Sequence, residues 1–277
     1  MAEDMIETRK VRWPKRLFFI LVCITLAFLY IHKIEPSWIT TKEFAVKNES
    51  IPTSFNGFKI AHVSDIHFGR TTNEKEITKM VEKINEMKPD LVVFSGDLFD
   101  SYITLSQNNI DFLSTELQKI HSTLGNYAIL GDSDYAEKEA FQNIMENANF
   151  TILNHNIPIY YKGNTPVYLA GYSSSDPMDT TILQKQSYQI VICHEPSNFD
   201  TLKSNASLVL AGHSLGGLIR LPFTNGLLKK ENTNNYILGK YEEQNSILFV
   251  SSGIGTEEIS MRFLNPPTIN LYRLYSK

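Results

Sequence analysis

Short apolar runs alternate along this chain with stretches whose apolar residues recur every three to four positions. The runs at 58–64 (FKIAHVS), 90–95 (DLVVFS), 126–131 (NYAILG), 166–172 (PVYLAGY), 188–194 (YQIVICH) and 207–212 (SLVLAG) predict strands covered on both faces. Between the first two, Ile77, Met80, Val81, Ile84 and Met87 recur at helical spacing, and Ile110, Leu113, Leu117 and Ile120 do so before the third. Beyond residue 235, YILGKY, SILFVSS and TINLYRL predict strands without intervening helices, and KEFAV adds one near the front. Alternating units followed by a strand-rich end predict packed sheets flanked by helices.

The front of the chain departs from this pattern. Leu17 to Ile31, LFFILVCITLAFLYI, is uncharged and almost wholly apolar, though shorter than the ~20 residues that usually span a bilayer. Lys15, Arg16 and Lys33 can reach from its edges to the headgroups, and Trp13, Tyr30 and Trp38 suit the interfaces. No small-x-small cleavage pattern follows, so a retained anchor is expected rather than a removed signal. Arg9, Lys10, Arg12, Lys15 and Arg16 precede the span, against Lys33 and Lys42 after it, which predicts a cytoplasmic N-terminus and an extracytoplasmic body. The expected divisions are a basic tail (1–16), an anchor (17–34), a connector with a first strand (35–57) and one domain (58–277).

Charge and cysteine content narrow the function classes. A net charge of −4 and the lack of a basic stripe argue against nucleic-acid binding. Cys23 lies in the apolar span and Cys193 in a strand-like run, so no disulfide is expected.

The chemistry collects where the strands stop. Successive runs end in Ser64-Asp65-Ile66-His67, Gly96-Asp97, Gly131-Asp132-Ser133-Asp134, His194-Glu195-Pro196 and Gly212-His213. Any one of these is an ordinary turn. Their recurrence in order is hard to explain by turn chemistry, because the carboxyl ends of neighbouring strands share one edge of a sheet, where open α/β folds build their sites. Carboxylates and imidazoles without a thiolate cluster suit manganese, iron or zinc.

Taken together, SDIHFG, FSGDLFD, LGDSDY, CHEP and AGHSLGG resemble the motifs of the calcineurin-like metallophosphoesterases. The chain is most similar to a membrane-anchored bacterial branch, whose loop closes on Gly-Gly-Gln-Ile-Arg-Leu-Pro, where this chain has Gly216-Gly217-Leu218-Ile219-Arg220-Leu221-Pro222. The resemblance runs from Ile51-Pro52 into the closing strands. It implies an α/β fold, a four-layer sandwich of two mixed sheets flanked by helices. It also implies one or two divalent metal ions and hydrolysis of a phosphodiester, phosphomonoester or pyrophosphate bond by metal-activated water. By the same resemblance, Asp65 and His67 hold a first metal, Asp97 bridges, and Asp132, His194 and His213 complete a second. Asp97, Asp132, Ser133 and Asp134 form the implied catalytic group.

This chain departs from the family pattern at three of these positions. Asp132 replaces an Asn and still offers an oxygen. Ser133 stands where the family has the His that contacts the phosphate and assists the leaving group. Leu215 stands where it has the last His, a ligand of the first metal. A catalytically impaired protein that keeps the fold for binding or scaffolding is therefore the second reading. A phosphate-ester substrate from the envelope or linked to lipid suits an anchored extracytoplasmic enzyme.

Other residues keep two readings. GHSLG (212–216) also fits the G-x-S-x-G elbow that would make Ser214 a nucleophile, yet no histidine follows it, contrary to the order of that fold. Arg70 and Arg220 could contact a phosphate or form salt bridges. Asp134 either orients its loop or caps a helix starting near Ala136. His62 and His121 are expected to be structural.

Overall fold

The computed structural model describes residues 15–277 apart from 70, 102, 175, 185, 223, 225 and 258. A first helix, α1 (Lys15–Leu29), continues through a wider turn over Tyr30–Ile34 and has no buried side chain. Twelve strands follow among the described residues. The first sheet contains β1 (Thr40–Asn48), β2 (Lys59–Val63), β3 (Leu91–Phe94), β4 (Asn126–Ala128), β5 (Phe150–Ile152) and β12 (Thr268–Ser276), in the order β1-β12-β2-β3-β4-β5. The second contains β6 (Ile157–Ile159), β7 (Val167–Tyr172), β8 (Gln189–Cys193), β9 (Leu208–Ala211), β10 (Gly239–Glu243) and β11 (Ser246–Val250), in the order β10-β11-β9-β8-β7-β6. Both sheets are mixed: β2 to β5 run parallel, as do β7, β8, β9 and β11, while β12–β2, β6–β7 and β10–β11 are antiparallel.

The continuous apolar runs are explained by which side chains each face covers. Leu91 and Val93 of β3 point into the core shared with Leu169, Ile190 and Leu208 of the other sheet. Val92 and Phe94 point the opposite way, against α2 (Glu74–Met87), α3 (Gln107–Leu117) and α4 (Lys138–Asn147). On the outer face of the second sheet, Val191, Cys193 and Val209 pack on Phe199 and Leu202 of the short α5 (Phe199–Leu202). The result is the expected four-layer α/β arrangement of helices, sheet, sheet and helix.

The predicted helical stripes become α2 and α3, with Ile120 buried just past the end of α3. Asn73 starts α2 by accepting from the Lys75 amide while Glu76 reaches back to the Asn73 amide. Two expected strands are trimmed: NYAILG pairs only over Asn126–Ala128, and YILGKY enters a ladder only at Gly239. Strands β5 and β6 and helix α5 are additions that the pattern did not predict.

The end of α1 is fastened to the body. The Arg262 amide donates 3.0 Å to the Ile31 carbonyl, the Asn265 amide donates to Glu35 Oε1, and His32 Nδ1 contacts the Ser260 carbonyl. Arg262 is itself fully buried, and its guanidinium donates to the carbonyls of Ser252, Gly253, Gly255 and Asn265.

His62 on β2 is the structural histidine of the core, with Nε2 2.8 Å from Ser95 Oγ. Burial pulls its pKa down to about 3. The folded protein therefore keeps it neutral, while the unfolded chain takes up that proton below about 6.5. Stability should thus fall as the pH drops below that value, by roughly 1.4 kcal/mol per pH unit for this one proton. Between pH 7 and pH 5, thermal unfolding of the detergent-solubilised chain should lose stability more steeply in wild type than in His62→Gln, by that amount per pH unit. An identical slope in the variant contradicts the assignment.

Candidate metal centre

The predicted ligands come together because the strands that carry them end side by side. Past β2 and β3 the chain makes sharp turns in which Asp65, His67 and Asp97 adopt left-handed φ of 49°, 48° and 60°, and His213 past β9 has φ 64°. Such values are uncommon for residues with a Cβ and persist only where surrounding bonds enforce them. Here the Asp65 amide donates to the Gly96 carbonyl, the Ile66 amide to the Asp97 carbonyl and the His213 amide to Asp65 Oδ1, at 2.9, 2.7 and 2.8 Å. Gly131 lets two of the loops touch, since a Cβ there would lie 2.1 Å from Asp97 Oδ1.

Two groups of side chains result, Asp97 with Asp132, His194 and His213, and Asp65 with His67 and Asp97; in each, the offered ligand atoms lie within 4.8 Å of one another. Asp97 belongs to both. Its Oδ2 lies 3.2 Å from His194 Nε2 and 3.6 Å from His67 Nε2. His194 Nε2 is also 2.9 Å from Asp132 Oδ1, and His213 Nδ1 is 3.2 Å from His194 Nε2 and 3.3 Å from Asp132 Oδ1.

The hydrogen bonds on the far side of each ring show what this cluster accommodates. His194 Nδ1 faces the Ser95 carbonyl at 2.7 Å and His213 Nε2 faces the Glu231 carbonyl at 2.9 Å. A carbonyl only accepts, so these nitrogens carry the protons, and in that tautomer the other nitrogen of each ring turns a lone pair toward Asp97 and Asp132. Among the described residues, Asp65 Oδ2, Asp97 Oδ2 and both ring nitrogens of His67 are buried without a hydrogen-bond partner. Lone pairs converging without donors fit a divalent cation, and a ring whose other N–H is held by a carbonyl is the usual posture of a metal-binding histidine. Without a cation a proton would substitute. Burial lowers the His194 pKa, but Asp97 and Asp132 outweigh it and hold the ring well above the ordinary range. Burial likewise pushes Asp97 and Asp132 up, yet His194 brings both well below the usual carboxylate range.

A sequence profile of the calcineurin-like phosphoesterases matches residues 58–217. The chain belongs to this family. Among its relatives, the uncharacterized metallophosphoesterase YkuE of Bacillus subtilis is 28% identical, with 89% of each chain covered. LpxG of Chlamydia trachomatis, a UDP-2,3-diacylglucosamine pyrophosphatase, is 25% identical over 92% of this chain and 94% of its own. A Danio rerio transmembrane protein with a metallophosphoesterase domain is 24% identical over 89% of this chain and 59% of its own. Members of this phosphoesterase family use divalent metals, in keeping with the donor set.

Within this candidate site the individual residues divide by what they touch. Asp132 is the accessible ligand candidate, its side chain 48% exposed toward a pocket of about 460 Å³. Ser133, expected among the catalytic residues, has its hydroxyl bonded to the Phe99 carbonyl at 2.9 Å, and its amide donates to Asp97 Oδ1 at 3.0 Å. Its contact with the centre is thus through the backbone. Asp134 makes no side-chain cap to the following helical turn. Instead its buried carboxylate accepts from the amides of Asp97, Leu98, Gly131 and Phe99, so of its two readings the orienting one holds in place of the cap. Burial and the Asp97 charge push it up to about 7, against the pull of those amides. Leu215 keeps a left-handed φ of 50° and is buried, its Cδ2 and the Asp65 Cβ both bordering Gly253.

The remaining candidates lie apart from this chemistry. Ser214 donates to the Ile237 carbonyl at 2.6 Å and accepts from the Gly216 amide; no histidine hydrogen-bonds to it among the described residues, which removes the serine-nucleophile reading. Arg220 donates to the Gly216 carbonyl. Arg70 lies outside the described residues. The pattern missed Lys230, whose Nζ lies 2.6 Å from Glu257 Oε2 and which lines the pocket with Lys229, Asp132 and His213. Burial lowers its pKa, but Asp97, Glu257 and Asp132 hold it above the ordinary value. No spacing in GLLKKEN marks it in advance.

Asp134→Ala should leave buried amides without acceptors, at about 1–3 kcal/mol each, and loosen the Asp97 turn. Titration calorimetry with manganese should show affinity reduced roughly 10- to 100-fold, the usual effect of losing a group that orients ligands. Asp134→Asn, which keeps one acceptor oxygen, should fall between. Affinity and unfolding temperature equal to wild type in both variants would contradict the positioning role.

Proposed function

We propose that this chain is a membrane-anchored, metal-dependent phosphoesterase with two unequal metal sites. The observation that carries the reading is the sharing of one buried, donor-free Asp97 oxygen between two ligand groups. Asp97, Asp132, His194 and His213 would hold the tighter ion. Asp65, His67 and Asp97 would hold a weaker one, because Leu215 offers hydrocarbon beside Asp65 where the family supplies another ligand. When bound, divalent cations at such paired sites supply Lewis acidity toward a phosphate ester and make nearby water more acidic.

The chain's own residues do the rest. Asp132 presents an oxygen to the pocket, Lys229 brings positive charge to the same space, where a phosphoryl group is attracted, and Lys230 there is paired with Glu257. Asp134 fixes the turns that aim Asp97 and Asp132. With the Ser133 hydroxyl bound to Phe99 O, no imidazole at that position protonates a departing oxygen. Losing a general acid costs about 10² to 10⁴ in rate for a leaving group that needs a proton. A phosphate departs as a stable anion at neutral pH, whereas an alkoxide does not. This favours a pyrophosphate or similarly activated linkage, consistent with the activity named for LpxG. The lipid-linked substrate named there also suits the apolar side of the pocket, Leu218, Leu228 and Ile259.

Anchoring rests on α1 and its extension, 20 residues to Ile34 with mean hydropathy 2.3 and no burial in the body. The basic residues before it favour a cytoplasmic N-terminus and an extracytoplasmic site. The rival reading, binding without turnover, draws on Leu215 and Ser133.

Purified chain supplied with manganese should hydrolyse bis-p-nitrophenyl phosphate and a nucleoside diphosphate diester, and cleave a simple alkyl phosphate at least 100-fold more slowly. Asp97→Ala should abolish turnover and bind no manganese by calorimetry. Leu215→His should raise the affinity of the weaker ion, at Asp65, His67 and Asp97, at least tenfold. Wild type as inert as Asp97→Ala, yet still binding manganese, would establish the rival.

A further inference from the structure

We propose that the mouth of the metal pocket rests on the lipid surface, through a rim of apolar side chains fastened to the end of α1. The inference depends on α1 being a membrane anchor. Its 20 residues, Lys15 to Ile34, extend about 30 Å at about 1.5 Å per residue, the thickness of the hydrocarbon layer. Ile31 to Ile34 therefore emerge at headgroup level, and whatever is bonded there lies at that depth.

What is bonded there is the 260–265 segment. The amides of Arg262 and Asn265 donate to Ile31 O and Glu35 Oε1, and Glu35 is buried, so helix and body meet without slack. The 218–228 segment is joined to it in turn. Arg220 N donates to Phe263 O at 2.9 Å, Phe263 N to Leu218 O at 3.2 Å, and Leu227 N to Ile219 O at 2.9 Å.

Exposed apolar side chains concentrate on these segments. Beyond Ile34, the large hydrophobics exposed among the described residues are Trp38, Leu221, Leu227, Leu228, Ile259 and Leu264, with Tyr160 the exception elsewhere. Large apolar side chains exposed on segments hydrogen-bonded to one another mark an interaction surface. Its occupant follows from continuity: the anchor already holds these loops at the depth where lipid begins. Leu228 and Ile259 belong to the rim and also line the pocket, and the exposed Lys229 follows at once, suited to anionic headgroups. A phosphate at headgroup depth would reach the site by lateral diffusion, without leaving the bilayer.

The test places nitroxide labels on the full chain in nanodiscs of phosphatidylethanolamine and phosphatidylglycerol. Native Cys23 reports on α1, while Leu227→Cys and Leu264→Cys report on the rim and Glu146→Cys on α4 serves as the aqueous control, each of the three made with Cys23→Ser. Cys193 is buried and stays unlabelled. Power-saturation measurements should show Cys23 and both rim labels accessible to oxygen and shielded from a nickel chelate, and Glu146→Cys the reverse. Rim labels behaving like Glu146→Cys, with Cys23 in hydrocarbon, would overturn this inference and leave the anchor standing. An aqueous Cys23 would remove both.

Discussion

The Asp97 carboxylate lies wholly out of water, with His67 and His194 on either side of one oxygen and no hydrogen-bond donor for it. A charge buried this way is tolerated only when opposite charge meets it, because desolvation alone would cost several kcal/mol. Much of the architecture around it answers that constraint. The parallel strands deliver their ends to one edge, the left-handed turns rotate the ligands inward, and Asp134 gathers the amides of Asp97 and its neighbours. In the proposed centre, the cations that satisfy Asp97 are the same ones that activate the substrate, so stability and function share one set of contacts.

How much of this was legible in the sequence depends on how locally each feature is encoded. The central strands β2, β3, β7, β8 and β9 were legible because each is buried on both faces, as Val92 and Leu91 illustrate by packing into different cores. Strands β5 and β6 are three residues each, too short for any periodicity to register. The ligand candidates were legible because an Asp or His at each strand end repeats a chemical type. What their neighbours do was not. Asp134 sits where a local rule expects a helix cap, and long-range bonds to Asp97 and Leu98 override it. The Ser133 hydroxyl is committed to Phe99, distant in sequence. Lys230 and Arg262 lie in irregular segments, where only the finished fold decides their surroundings.

Arg262 ties the two halves of the proposed function together. Its amide holds the end of α1, and its guanidinium holds Ser252, Gly253 and Gly255, whose loop packs on Asp65 and His67. The proposed anchor and weaker metal site are therefore connected through one buried residue. In the proposed enzyme the replaced positions need not mean decay. A leaving group that departs unprotonated makes little use of an imidazole at 133, and a substrate presented at the membrane surface needs less affinity than one captured from solution.

The central claim is that Asp97 joins two cation sites. Anomalous diffraction from crystals of the chain grown with manganese tests it most directly. The account predicts a strong peak among Asp97, Asp132, His194 and His213, and a weaker one among Asp65, His67 and Asp97. Bound manganese with no peak touching Asp97 would contradict it.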